Sequence, residues 1–504
     1  MYYQRNRLRS FCSTIHWRTT GLAALALMGV VLSPAVGHFA IARTQQPTAA
    51  APLVLDRVTV IDVQSGRRIL AQRVVIVGNR IRAVGSVSSV HVPAGARVVD
   101  ARGKYLMPGL WNMHTHSERS TDIFYPLFIA NGVTGIRDAW SEVPLDTLIM
   151  WRREIVAGTR VGPPRQLLAG PALDEETPCM REKGEGHVCI ADSADARHVV
   201  DSLKAAGANF IKTYDLKKKE TYFAVAAEAR RVGIQFGGHL DIRDLGITAI
   251  QASDSGASIL DHPNTASDLD ELCLFKAASV ERCQPVAERF RHNGTWWVPT
   301  LIILATSYGI EEAPAGRRAL AKPAFGPASQ AILKRFYQFA SKFWEGSAKR
   351  LSLTGLRDSV GVAQTAHAIT PNSPVDSGGS LRLVHRVGMP ILAGTDDAES
   401  VMERQPPGFS LHAELATYVE EGLTPLEALQ TATLNPAKAI HGTDSLGTVA
   451  PGKLADLVLL DADPLADITN TTAIRAVVAN GRYFDRAALD QLLTDAQAKT
   501  KKNP

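Results

Sequence analysis

The chain has 504 residues, enough for one large domain plus a small one, and its 45% apolar and 21% charged content is ordinary for a globular protein. Its formal net charge is +5, but Arg5, Arg7, Arg9 and Arg18 sit before residue 43 with no acid among them, so without that stretch the charge falls by four to +1. A nearly neutral remainder with no aromatic-interleaved basic stripe excludes a nucleic-acid surface as its main business.

Taken in chain order, the four arginines precede GLAALALMGVVL at residues 21–32, then Ser33, Pro34 and the small-residue triplet Ala40-Ile41-Ala42. This is the layout of a secretory signal over residues 1–42, too short for a confident membrane span, with an uncleaved membrane anchor as the alternative. The expectation is an exported protein, periplasmic or secreted, with no membrane association beyond the leader. Residues 43–51 read as a polar linker. From 52 to 106 short β-prone runs (LVLDRVTVIDV, RVVIVG, RIRAVG, ARVVDA) alternate with turns, and the same texture returns over 442–490 in GTVAPGKLADLVLL and AIRAVVANGRYF. The two ends are expected to build one small β domain together. Residues 491–504 read as a basic tail whose last six residues, KTKKNP, form a solvated terminus.

Between them, residues 107–441 alternate strand-like and helix-like segments, which predicts a parallel α/β sheet. TYFAVAAEARRV places Tyr222, Val225, Ala226, Ala229 and Val232 on one helical stripe. Thr424-Pro425-Leu426-Glu427 is a capping box with Pro at the first helical position, opening a helix expected to run through LEALQTATL.

Six polar residues each end a short apolar run: His114 and His116 in WNMHTHSE, Lys212 in NFIKTYD, His239 in QFGGHL, His262 in ILDHP and Asp396 in ILAGTDD. Carboxyl ends of strands are where barrel enzymes keep their chemistry. A (β/α)8 barrel takes roughly 30 residues per repeat. His116 to Lys212 is 96 residues, about three repeats, and the next steps of 27 and 23 are one repeat each. These distances put the HxH pair on strand 1 and Lys212, His239 and His262 on strands 4, 5 and 6. TWWVPTLIIL then supplies strand 7 and GMPILAGTDD strand 8, with an insertion over about 305–385 absorbing the excess of the 134 residues from His262 to Asp396. Side chains two apart in a strand share a face, so one metal ion can take both His114 and His116.

PGLWNMHTH, Lys212, His239, His262 and GTDD in that order, followed by LHAELATYVEEGLTPLEALQTATLNPAKAIHG and GTVAPGKLADLVLLDADPL, resemble the amidohydrolase superfamily of metal-dependent hydrolases, in particular its imidazolonepropionase-like and Xaa-Pro dipeptidase-like members. The resemblance covers nearly all of residues 52–490. It implies a (β/α)8 TIM-like barrel with a small β-sandwich domain from both terminal segments. It further implies that His114 and His116 hold one divalent metal and His239 and His262 a second. Lys212, carboxylated, would bridge two zinc ions (Mn, Co or Fe being alternatives), and Asp396 would act as ligand and as catalytic proton-transfer base. The reaction implied is attack of a metal-held hydroxide on an amide C–N bond of a small molecule, a dipeptide or N-acyl amino acid. A cyclic amide, lactone or ring amine is the alternative substrate class, and a non-catalytic exported binding protein the alternative kind of molecule. Asn112 departs from the pattern, standing where many relatives have Asp, and Lys212 as an ordinary lysine would leave a single-metal site.

Around this set, Tyr214 shares the face of Lys212 and is a candidate for a substrate carbonyl. Arg137, next to Asp138, is a candidate for a substrate carboxylate, unless the two simply pair. Trp296, Trp297 and Thr300 either wall the pocket or fill core, and His412 and Glu414 are expected on a helix face. His187, His198, His292, His367, His385 and His441 have no partner by spacing and are read as non-ligands. Cys179, Cys189, Cys273 and Cys283 form two pairs of equal ten-residue spacing, expected as two disulfides in an exported protein, with Cys metal ligation the alternative. Partners are expected to be limited to the small-molecule substrate and a further copy of the chain.

Overall fold

The β-prone runs at the two ends of the chain meet in one sheet. The computed structural model describes residues 51–117, 121–175, 186–240, 245–262, 268–274, 278–302, 377–397 and 407–502. Those expected as leader (1–42) and most of the expected insertion lie outside them.

The chain enters through β1 (Leu53–Asp62), β2 (Arg67–Val77), β3 (Arg80–Ser86), β4 (Arg97–Asp100) and β5 (Tyr105–Pro108). It continues through β6 (Leu110–Ser117), β7 (Val133–Ser141), β8 (Arg165–Leu168), β9 (Ala172–Glu175), β10 (His187–Ile190), β11 (Phe210–Thr213), β12 (Gln235–Gly238), β13 (Ala257–Asp261) and β14 (Trp296–Val298), and ends with β15 (Leu457–Leu460), β16 (Ile474–Ala479) and β17 (Arg482–Asp485). The terminal strands pair in the order β17-β16-β15-β5-β1-β2-β3, with β4 added beside β1, so β15 from the far end lies directly against β5. Alternation along β1 sends Leu53, Leu55, Val58 and Val60 into a core shared with Leu457, Leu459 and Val478.

The middle strands form two sheets, β10-β9-β11-β12-β13-β14 and β6-β7-β8, parallel throughout. Every residue of β6 is buried, as expected of a parallel strand covered on both faces. The segment 391–397 bridges them: Ile391 pairs in parallel with Trp297 of β14, and Asp397 with Thr115 of β6. Helices alternate with the strands; Ser193–Ala206 buries one stripe (Ala196, Val200, Leu203), whereas Thr121–Ala130 and Phe409–Glu420 are buried nearly all round. The predicted stripe from Tyr222 to Val232 lies on the helix Lys219–Val232, ended by Gly233 at φ 65°, a left-handed turn that favours glycine.

Two expectations change. The helix opened by Thr424, whose capping box forms as predicted, stops at Thr431, and a separate short helix, Leu434–Ala439, follows. The segment taken as a basic tail from residue 491 is instead the outer half of a helix, Arg486–Lys502, packed along Thr121–Ala130. Leu489 and Ala496 are buried there with Leu492 and Leu493 beside them, an i, i+3, i+4, i+7 stripe that the lysine-rich terminus obscures in the sequence.

Candidate metal centre

The six strand-end residues converge on one mouth. β6 carries His114 and His116, whose rings lie 5.0 Å apart. Asp396, at the end of 391–397, reaches both: Oδ1 is 3.2 Å from His114 Nε2 and 2.7 Å from His116 Nε2. His262 follows β13, its Nε2 4.0 Å from Asp396 Oδ2 and its ring 4.4 Å from that of His114. Ligand atoms of His114, His262 and Asp396 all lie within 4.8 Å of one another. His239 follows β12, its ring 4.9 Å from that of His262 and stacked at 4.5 Å on Tyr214.

Backbone and neighbours hold these groups in place. His262 and Asp396 have φ of 56° and 59°, a region non-glycine residues rarely occupy. His262 Nδ1 lies 2.6 Å from Thr300 Oγ1, which turns Nε2 toward the mouth. Thr300, itself at φ 44°, is fixed by Glu414: the N–H groups of Leu301 and Ile302 donate to its two carboxylate oxygens at 2.8 and 2.7 Å. Gly238 leaves room for Lys212, and Gly237 for the backbone of Ile259 on β13. A Cβ on Gly238, at φ 133°, would stand 2.3 Å from Thr213 O and 2.6 Å from Lys212 Cδ.

Lys212 is fully buried, and its Nζ donates to Asp261 Oδ2 at 2.6 Å. The same carboxylate accepts from Arg137 at 2.8 Å and lies 3.1 Å from His114 Nδ1. Arg137, 1% exposed, also donates to Met113 O, so it faces neither its expected partner Asp138 nor a substrate; Asp138 accepts from the Ser117 N–H instead. The Arg137 expectation is corrected on that ground: the side chain is sealed inside the fold, with Nη1 and Nη2 taken by Asp261 and Met113 O.

Burial, only partly offset by Asp396, pushes His116 down to about 4, and burial with the His114 charge pushes His262 down to about 3; burial holds His239 well below the usual histidine range. These rings are therefore neutral and offer lone pairs near neutral pH. Burial pushes Asp396 up, but the contacts of His262, His114 and His116 outweigh it and hold the carboxyl well below its usual range. Burial lowers Lys212, partly offset by Asp261. Neither ring nitrogen of fully buried His114 makes a well-formed hydrogen bond. Buried imidazole nitrogens normally find partners, so a histidine left short of them, grouped with the neutral rings of His116 and His262 around a carboxylate, makes a donor set suited to a divalent cation.

The open side of the mouth holds a residue that spacing passed over. Ring contacts run from His116 to Trp140 (4.6 Å), on to His187 (5.1 Å), to Tyr214 (5.0 Å) and back to His239, closing a loop of rings. His187 Nδ1 lies 2.8 Å from Asp174 Oδ2, and Asp174 Oδ1 accepts from the Asp215 N–H at 2.8 Å. The pair of acids ending β9 was the one available signal for it. Asp261, beside His262 in ILDHP, was equally visible as a polar residue ending an apolar run. Of the remaining candidates, Trp297 is core, Trp296 lines a separate cleft with Arg291 and His385, and His412 bonds Thr471 and Asn131 O on a buried helix face. Cys273 and Cys283 form a disulfide; Cys189 is also disulfide-bonded, and Cys179 lies outside the described residues.

Residues 352–483 match the model of the Amidohydrolase family. An adenine deaminase from Mesorhizobium japonicum is 23% identical over 446 residues, 86% of this chain but 58% of that protein, so the chain spans little more than half its length. Among solved structures, a putative prolidase from Bifidobacterium longum superposes with a TM-score of 0.62 at 22% identity, covering 89% of this chain and 99% of that one. A Xaa-Pro dipeptidase with methionine bound in its active site gives 0.60 at 19% identity, covering 86% and 100%. At these identities the likeness is one of fold: α/β with parallel sheets.

Proposed function

We propose that the chain is a member of the amidohydrolase superfamily and a metal-dependent hydrolase of C–N bonds in small molecules. The observation that carries the reading is the convergence of buried His114, His116 and His262 on ionised Asp396. In this reading the parallel sheets are one (β/α)8 barrel whose eighth strand is 391–397, and the terminal sheet folds over its own core as a β-sandwich. The chain is exported by its leader and meets only a small-molecule substrate and further copies of itself.

His114, His116 and Asp396 would hold one divalent ion, zinc being the best match to imidazole and carboxylate, with His262, its Nε2 4.0 Å from Asp396 Oδ2, facing it from the second position. His239 and a carboxylated Lys212 would complete a second position. Bound metal supplies an activated water and polarises the scissile carbonyl. Asp396 would take the attacking water's proton and pass it to the leaving nitrogen. Tyr214, stacked on His239 at the open side, would orient the carbonyl oxygen. A second reading of the metal count is favoured by one contact: Lys212 Nζ already faces Asp261 at 2.6 Å, which suits a free ammonium and a single ion. Metal analysis decides between them. Two equivalents in the native protein and one in Lys212→Ala supports the bridge, whereas one equivalent in both supports the ion-paired lysine.

The fold neighbours named as prolidases favour a dipeptide or N-acyl amino acid as substrate, and the relatives named as adenine deaminases favour a ring amine. Metal-loaded protein offered Xaa-Pro dipeptides, N-acyl amino acids, lactones and adenine separates these, with hydrolysis of the first two expected. Failure to hydrolyse any of them after zinc or manganese loading, with under half an equivalent of metal retained, would overturn the enzyme reading.

A further inference from the structure

The departure at Asn112 has a partner across the barrel mouth. Asn112 is fully buried in β6, two residues before His114. Its Nδ2 donates to Thr395 Oγ1 at 2.6 Å and to Asp397 Oδ2 at 3.0 Å; its Oδ1 accepts from the N–H groups of His114 at 3.2 Å and Thr395 at 3.1 Å. A carboxamide has two N–H donors and two acceptor positions, and all four are used here. The partners at 395 and 397 flank Asp396, while Asp396 N–H donates to His114 O at 2.9 Å and His116 N–H to Asp397 O at 2.9 Å. Asp397 Oδ1 accepts from Ser410 Oγ at 2.6 Å, which ties the same segment to the helix Phe409–Glu420.

We propose that Asn112 and Asp397 are a positioning pair that spans Asp396, holding its backbone in the left-handed conformation that aims the carboxylate at His114 and His116. The carboxylate of this pair stands on the 391–397 side and the amide on β6, so a second carboxyl group in place of Asn112 would meet Asp397 at about 3 Å and could bond it only by keeping a proton between them. Asn112→Asp would replace both Nδ2 donors with acceptors, setting two carboxyl groups about 3 Å apart, out of water, with the Thr395 hydroxyl able to donate to only one of them. Exchanging the two residues together restores the complement: the carboxylate, now on β6, accepts from the amide nitrogen, now on the 391–397 side, and the amide oxygen accepts from Ser410. The role assigned to Asp396 rests on the functional reading above, but the pairing itself does not.

The test compares native protein, Asn112→Asp and the double exchange Asn112→Asp with Asp397→Asn. Two readouts are taken: the melting temperature of metal-free protein, and zinc affinity by competition with a chromophoric chelator. Asn112→Asp is expected to melt lower and to bind zinc at least ~10-fold more weakly, the range for losing a group that orients ligands. The double exchange is expected to return to within about 3-fold of native affinity and to recover the melting temperature. If Asn112→Asp fails to fold, recovery of a folded, zinc-binding double exchange supports the pairing. A double exchange no better than the single variant, or an Asn112→Asp protein indistinguishable from native, overturns it. If the native protein binds no zinc, the metallo-hydrolase reading fails, and the order of metal-free melting temperatures still decides the pairing.

Discussion

At the scale of single residues, the mouth concentrates conformations that cost free energy. His262, Thr300 and Asp396 are three of the seven non-glycine residues at positive φ among those described, and such conformations cost on the order of 1–3 kcal/mol each. They persist because neighbours over-determine them: His262 N–H bonds Val298 O, Asp396 N–H bonds His114 O, and Glu414 holds the turn after Thr300. Asp261 is the most heavily used side chain of the set. It is fully buried, faces Arg137, Lys212 and His114 at once, and is held well below the usual carboxylate range: burial pushes it up, and the Arg137 and Lys212 charges outweigh that. Asp261→Asn keeps an acceptor near His114 but leaves buried Arg137, and Lys212 in its ammonium form, without their anion. A loss of about 3–5 kcal/mol in denaturant unfolding is expected, with weakened zinc binding. Unfolding within about 1 kcal/mol of native would show that the two cations do not depend on it. The six strand-end residues were legible because each is a polar residue closing an apolar run. Asp261 meets the same description and was missed, because its importance lies in what it neutralises, and partners as distant in sequence as Arg137 leave no local pattern.

At the scale of elements, caps and stripes were readable wherever the signal is local. The Thr424–Glu427 box closes as written, Thr424 N–H donating to Glu427 Oε2 at 2.8 Å, because a capping box needs only four consecutive residues. Where the helix ends was not readable. It stops where Ala432 N–H bonds Leu429 O and Ala432 O is taken by Trp111 N–H of β6, a partner supplied only by the folded chain. The Cys273–Cys283 bond fastens the turn Asp270–Leu274 to the helix Val280–Asn293. Closing a loop of about ten residues constrains the unfolded chain by ~2–3 kcal/mol. Replacing both cysteines by serine should lower the melting temperature correspondingly and leave zinc stoichiometry unchanged. A change in stoichiometry would mean that the bridge also shapes the mouth, against the present reading.

At the scale of the whole molecule, the two ends of the chain are stitched together by charges as well as by strands. Asp461, just after β15, pairs with Lys104 ahead of β5 and Arg475 of β16, both at 2.9 Å. Burial pushes its carboxyl up, but hydrogen bonds from Arg475 and Lys104 outweigh this and lower it overall. A carboxyl lowered on folding contributes stability above the unfolded-chain value of about 3.9, and that contribution is lost as pH falls through the folded value. Asp461→Asn should therefore be less stable than native near neutral pH and converge with it in acid, measured as denaturant midpoint against pH. A difference independent of pH would assign the effect to packing instead.

The sequence by itself determined what repeats or is local. It contained the α/β alternation, the strand-end positions of His114, His116, Lys212, His239, His262 and Asp396, the β-prone character of both ends, and the helix starts, since periodicity and capping act over a few residues. Tertiary structure decided what those residues face. It set Lys212 against Asp261, sealed Arg137 inside the fold, placed His187 in the rim beside Trp140 and Tyr214, and matched Asn112 to Asp397 across 285 positions. A buried charge or amide must find its complement wherever the fold brings one. The complement's identity is therefore a property of three-dimensional neighbours, which spacing along the chain does not encode.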